Sequence, residues 1–136
     1  MSPRSELQQR LAKLESVCHE HGLPVTKQKK AIFTELAKTF DHPSAQMLYD
    51  RLKNTHPDLS FATVYKNLRL FQRLNLAIEI ELPDGPARFD ANTETHHHAV
   101  NEKTGKISDV SVHGRIPLPE SIAPKKIKRV SVTYYI

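Results

Sequence analysis

Three consecutive histidines, His96, His97 and His98, are the densest cluster of metal-binding side chains in the chain, which holds eight histidines in 136 residues. On an extended strand successive side chains alternate between faces, so His96 and His98 share one side and His97 takes the other. Two imidazoles two residues apart can grip one ion. Asp90 lies just upstream, and Asp109 falls on a segment that could pair with the histidine strand across a turn at Thr104-Gly105. Imidazoles combined with carboxylates suit divalent iron, manganese or zinc better than calcium, which prefers oxygen alone. The alternative is an exposed polar stretch that binds nothing.

A second group lies on the segment FATVYKNLRLFQRL, where Tyr65, Lys66, Arg69, Gln72 and Arg73 fall on one side of a helical wheel. Lys66, Arg69 and Arg73 could neutralise phosphates and release counterions. Ala62, Thr63 and Tyr65, near the start of the helix, are small or amphipathic enough to approach base edges and thymine methyls. Lys27, Lys29 and Lys30 are further, weaker candidates for phosphate contacts. The competing reading is a solvated surface helix.

The elements that must position these groups follow from apolar spacing. In SELQQRLAKLESVCHEH, Leu7, Leu11, Leu14, Cys18 and His21 recur every three or four residues, predicting a helix that Gly22 stops. Thr26, Ser44 and Ser60 each stand where a hydroxyl can cap a helix. The helices so predicted bury Ile32, Phe33 and Leu36, then Ala45, Leu48 and Leu52, then Phe61, Val64, Leu68 and Phe71. After Asn75 the pattern changes. LAIEIEL and ARFD flank the turn residues Pro83-Asp84-Gly85-Pro86, predicting a hairpin. HHHAV, KISDVSV and KIKRVSVTYYI read as further strands, and RIPLPESIAP leaves room for one short helix.

Helices ending in a basic amphipathic helix and followed by a hairpin suggest a winged helix-turn-helix, whose helix enters the major groove of DNA. The fold class is therefore α+β. We place a DNA-binding domain over residues 1–87 and a smaller domain over 88–136. Charge agrees with the division. Residues 1–75 hold 12 Lys and Arg against 7 Asp and Glu, whereas residues 76–136 hold 8 of each. The smaller domain buries too little surface to stand alone, so dimerisation through it is expected. No apolar run suits a membrane span, MSPRSELQQR lacks the apolar stretch of a secretory signal, and the one cysteine permits no intrachain disulfide. A cytoplasmic protein is expected, with Cys18 a small core residue.

The stretches GLPVTKQKKAIFTEL, HPSAQMLYDRL, SFATVYKNLRLFQRLNLAIEIELPDGPARFD, HHHAV and GKISDV, taken in this order, resemble the Fur family of bacterial metal-dependent repressors. Within it the chain looks most like the peroxide-sensing PerR subgroup. The resemblance implies a winged-helix domain, a hinge near RFD, an α/β dimerisation domain and a regulatory metal site between the two. It carries over His42, Asp90, His96, His98 and Asp109 as ligands of Fe(II) or Mn(II), with Zn possible. It also implies oxidation of a ligand histidine by peroxide at the iron-loaded site, with His42 and His96 the matching positions, followed by release of DNA.

The implied partner is a pseudo-palindromic double-stranded operator, bound by a homodimer without membrane contact, and no enzymatic activity is expected. Most relatives carry paired Cys-x-x-Cys motifs for structural zinc. Here Asn101 and Thr104 stand at the first pair, so no structural zinc held by four cysteines is expected. Three rival readings remain: a sensor of iron, manganese or zinc availability, a small non-haem metalloenzyme using histidines and a carboxylate, and a metal-independent DNA-binding domain whose histidines are inert.

Overall fold

The computed structural model describes residues 3–94, 96–111, 116–127 and 129–136, with side chains described from residue 6 onward. Thr95, His113 and parts of the expected strands near 112 and 128 lie outside the described residues. The chain divides into two compact units, Met1–Thr93 and Glu94–Ile136.

The first unit contains α1 (Pro3–Glu20), α2 (Lys27–Ala37), α3 (Ala45–Leu52), α4 (Phe61–Arg73), β1 (Ile78–Ile80) and β2 (Arg88–Asp90). Its helices begin where hydroxyls satisfy the orphan amides of a first turn. The side chains of Thr26, Ser44 and Ser60 accept from the N–H groups of Lys29, Met47 and Thr63 at 3.1, 3.2 and 3.1 Å. Two helices end in the same way. Gly22, at φ +65°, lets Leu23 N–H reach Cys18 O at 2.8 Å, and Asn75, at φ +58°, lets Leu76 N–H reach Phe71 O at 2.8 Å. Each is a left-handed residue just past a helix end, where the reversed backbone satisfies carbonyls of the last turn.

The core of this unit is the predicted set of stripes. Leu14, Cys18, Ile32, Phe33, Leu36, Leu48, Leu68 and Phe71 are all buried, and Phe33 and Phe71 meet edge-on with centroids 5.1 Å apart. Two positions depart from the predicted stripes. His21 is exposed, its Nδ1 2.9 Å from Val17 O. Phe61, the first residue of α4, is 42% exposed. It stacks on Tyr65 instead, with centroids 6.4 Å apart and planes 29° apart.

β1 and β2 pair antiparallel, with Ile78 opposite Asp90 and Ile80 opposite Arg88, and form the wing after α4. The expected boundary after residue 87 would have cut this hairpin. The RFD segment pairs with β1, and the division falls after Thr93. Four helices with a terminal β-wing form a winged helix-turn-helix unit.

The second unit is a three-stranded sheet in the order β4-β3-β5, where β3 is His97–Val100, β4 is Ile107–Val110 and β5 is Thr133–Tyr135. β3 and β4 form an antiparallel hairpin turned by Gly105 at φ +74°, whereas β5 joins β3 in parallel. The helical element among its described residues is one 3-10 turn, Pro124–Lys126. Among the described residues of KIKRVSVTYYI, the strand is Thr133–Tyr135, shorter than expected. His97 explains part of the ordering at that edge, since its Nδ1 accepts from Val132 N–H at 3.0 Å.

Candidate metal centre and nucleic-acid face

His42 occupies an unusual place in the first unit. It precedes Pro43, which disfavours the right-handed helical region, and it adopts φ +52°. A non-glycine residue held there costs roughly 1–2 kcal/mol, so its surroundings must enforce it. They do so through β2. Arg88 donates through Nε to His42 O and through Nη2 to Asp41 O at 2.9 Å, while Phe89 N–H donates to Pro43 O at 2.9 Å. Asp41 is in turn paired with Arg51. Burial of the Asp41 carboxyl opposes ionisation, but hydrogen bonds from Arg51 and Thr39 outweigh it and hold its pKa below the usual value. Burial pushes the Arg88 guanidinium down from its ordinary value.

This stitching brings His42 beside Asp90, the last residue of β2. His42 Nε2 lies 3.2 Å from Asp90 Oδ2, and both residues are buried. The other carboxylate oxygen, Oδ1, accepts from Asn92 N–H at 2.8 Å. One oxygen of Asp90 is thus anchored and the other faces the imidazole.

In the second unit, strand register does the positioning. His98 is directly opposite Asp109 in the β3–β4 ladder. Both His96 Nε2 and His98 Nε2 lie 3.4 Å from Asp109 Oδ1, and the two rings meet at 4.6 Å between centroids. His96 Nδ1 lies 2.6 Å from Glu94 O. A carbonyl only accepts, so Nδ1 is the donor there, and Nε2 is left on the side of Asp109. This is the arrangement that orients a metal-binding imidazole. Within each unit the donor chemistry, imidazole nitrogen beside carboxylate oxygen, suits a divalent transition ion.

The candidate DNA face lies along α4. Ala62, Tyr65 and Lys66 are exposed and Thr63 is half-buried. Arg69 differs from a free phosphate contact. Its Nη1 donates to Gln72 Oε1 at 2.9 Å and to Glu79 Oε2 at 2.6 Å, while Nε and Nη2 donate to the Tyr65 hydroxyl at 3.1 and 2.6 Å. The Glu79 hydrogen bond, reinforced by Tyr65, raises the Arg69 pKa above its ordinary value. The hydrogen bond from Arg69 holds Glu79 low, against burial. Lys29 is 8% exposed and gives its ammonium to Pro24 O at 2.8 Å, so it closes a loop and points no charge outward. Reading from spacing missed Arg88 and Glu79, because their partners are set by tertiary pairing.

Comparison with known proteins agrees with this architecture. Residues 20–135 match the profile of the ferric uptake regulator family. The peroxide-responsive repressor PerR of Staphylococcus epidermidis is 38% identical, over 72% of this chain and 72% of that protein. The solved structure of the Campylobacter jejuni peroxide stress regulator is 28% identical, covers 90% of this chain and 94% of its own, and has a TM-score of 0.66. The Helicobacter pylori ferric uptake regulator shares the fold at a TM-score of 0.73, with 16% identity over 96% of this chain and 91% of its own. With its winged helix, its histidine-bearing sheet and a profile match over most of its length, the chain belongs to the ferric uptake regulator family.

Proposed function

We propose that this protein is a metal-dependent, peroxide-responsive transcriptional repressor. The observation that carries the reading is the pair of partial donor sets: His42 with Asp90 in the winged-helix unit, and His96 with His98 and Asp109 in the sheet unit. Two or three donors hold a transition ion weakly, whereas five from both units would hold it well and tie the units together. Fe(II) or Mn(II) is the proposed occupant, with Zn a possible substitute. Metal occupancy would then bias the relative orientation of the reading helices, the coupling a ligand-driven switch needs. The identity to a named peroxide-responsive repressor supports the choice of signal.

In this reading Ala62, Thr63 and Tyr65 face base edges and Lys66 meets the phosphate backbone. Two copies, related by a two-fold axis, match a pseudo-palindromic operator. The exposed Tyr134, Tyr135 and Ile136 at the β5 edge support pairing of the sheet unit with a second copy. Fe(II) held by these residues would supply the reducing electron for cleavage of a peroxide. The chain would contribute the targets, the His42 and His96 imidazoles. Peroxide is the two-electron oxidant, one of its oxygens going onto a ring carbon and the other leaving as water, while the displaced hydrogen moves to ring nitrogen and removes its lone pair as a donor. With a ligand lost, the ion would no longer tie the units together, and the operator would be released.

Mass spectrometry of the iron-loaded protein before and after peroxide tests this. The expected result is a gain of one oxygen on a peptide containing His42 or His96, absent from the Mn(II) form. Unmodified histidines, with DNA release following iron removal alone, would replace peroxide by iron availability as the signal.

A further inference from the structure

We propose that Arg69 is a positioning residue, anchored by Glu79, that fixes the hydrogen-bond polarity of Tyr65 so that its hydroxyl reads only acceptors on a base edge. This rests on α4 being the helix that enters the major groove. A phenol has one O–H donor and two lone pairs. Both lone pairs face the Arg69 fork, at 3.1 Å from Nε and 2.6 Å from Nη2. What remains for a partner is the O–H itself. A free tyrosine hydroxyl can donate or accept, and so tolerates either kind of base edge. This one can only donate.

The fork is itself held. Nη1 is committed to Gln72 Oε1 and Glu79 Oε2, so four of the five guanidinium N–H groups are assigned. Gln72 Nε2 also donates to Glu79 Oε2 at 3.2 Å. Glu79 is the central residue of β1, opposite Phe89 of the wing. The wing therefore sets the angle of Arg69, and Arg69 sets that of Tyr65. The ring is confined as well, with Phe61 stacked against it and the Arg69 guanidinium carbon 4.9 Å from its centroid. A guanidinium so engaged is poorly placed to serve as a phosphate contact, although its charge and position on the helix suggest that role.

In the major groove, guanine offers N7 and O6, adenine N7 and thymine O4 as acceptors, whereas cytosine offers only its amino donor. The consequence is discrimination against cytosine at one position of each half-site. A single such contact corresponds to about tenfold in affinity.

The test is selection from a randomised duplex library by the Mn(II)-loaded full chain, with salt titrations on the selected duplex. Five proteins are compared: wild type, Tyr65→Phe, Arg69→Lys, Arg69→Met and the double variant Tyr65→Phe/Arg69→Lys. Wild type is expected to exclude cytosine at one position per half-site. Tyr65→Phe and Arg69→Lys should each lose that exclusion at the same position, and the double variant should lose nothing more. The slope of affinity against salt should stay unchanged throughout. Lysine keeps the positive charge but lacks the fork, so Arg69→Lys also controls for loss of fold. A lysine variant with the wild-type base profile overturns the proposal. So does Arg69→Met if it keeps the profile, weakens binding to all sequences and reduces the salt slope, which marks a direct phosphate contact. A wild-type protein that selects no sequence overturns the repressor reading itself.

Discussion

The carbonyl of His42 accepts a hydrogen bond from the Arg88 guanidinium, and this contact joins the strained turn before α3 to the strand that carries Asp90. Arg88 is no ligand in the proposed site, yet it determines where two ligands stand. Replacing it with methionine keeps much of its bulk and removes both carbonyl contacts. Mn(II) affinity measured by calorimetry should fall about 10–100-fold, the usual cost of losing a residue that orients a ligand. Unchanged affinity would show that His42 is held by other means.

The backbone at His42 gives a prediction of opposite sign to the ordinary rule. Glycine normally destabilises relative to alanine by loosening the unfolded chain. At φ +52° the order should reverse, with His42→Gly more stable than His42→Ala by about 1 kcal/mol. Urea unfolding of the two metal-free variants reads this directly, because both lose the same imidazole.

Much of the scaffold was legible in the residues before any coordinates. Thr26, Ser44 and Ser60 announce helix starts because a hydroxyl before an apolar stripe has few other uses, and Gly22 marks an end for a steric reason. His98 and Asp109 could be paired because a short turn at Thr104-Gly105 fixes the register between them. The rest depended on tertiary contacts that spacing does not encode. Phe61 continues the stripe of α4 on a wheel, yet at the helix's first position its ring meets Tyr49 and Tyr65 and stays 42% exposed. Lys29 looks solvent-facing on the same kind of wheel, but its flexible stem turns back to Pro24 O. Arg88 reaches a carbonyl 46 residues away, and Arg69 reaches a carboxylate on the following strand.

Glu79 supplies a pH dependence. The hydrogen bond from Arg69 holds its folded-state pKa below the ordinary value, with burial opposing. Stability from such a group is present above its unfolded pKa and is lost as pH falls through the folded value. Wild type should therefore exceed Glu79→Gln in urea midpoint at about pH 6, and the gap should narrow as pH falls below the ordinary carboxylate range and through the depressed folded-state pKa. A gap that persists in acid would assign the difference to shape and not to charge.

Phe71 tests the core that supports α4. Its ring is fully buried against Phe33, so Phe71→Ala should lower unfolding stability by about 3–5 kcal/mol. A loss well below that range, read from denaturant curves, would mean that the helices close over the vacated space.

The central claim is that one ion draws ligands from both units. Titrating Mn(II) into wild type, His42→Ala and His98→Ala, with one substitution in each unit, tests it most directly. The account predicts one regulatory ion per chain in wild type and loss of that same ion in both variants, each still folded by circular dichroism. If either variant retains wild-type affinity, the ion resides within a single unit and the clamp is wrong.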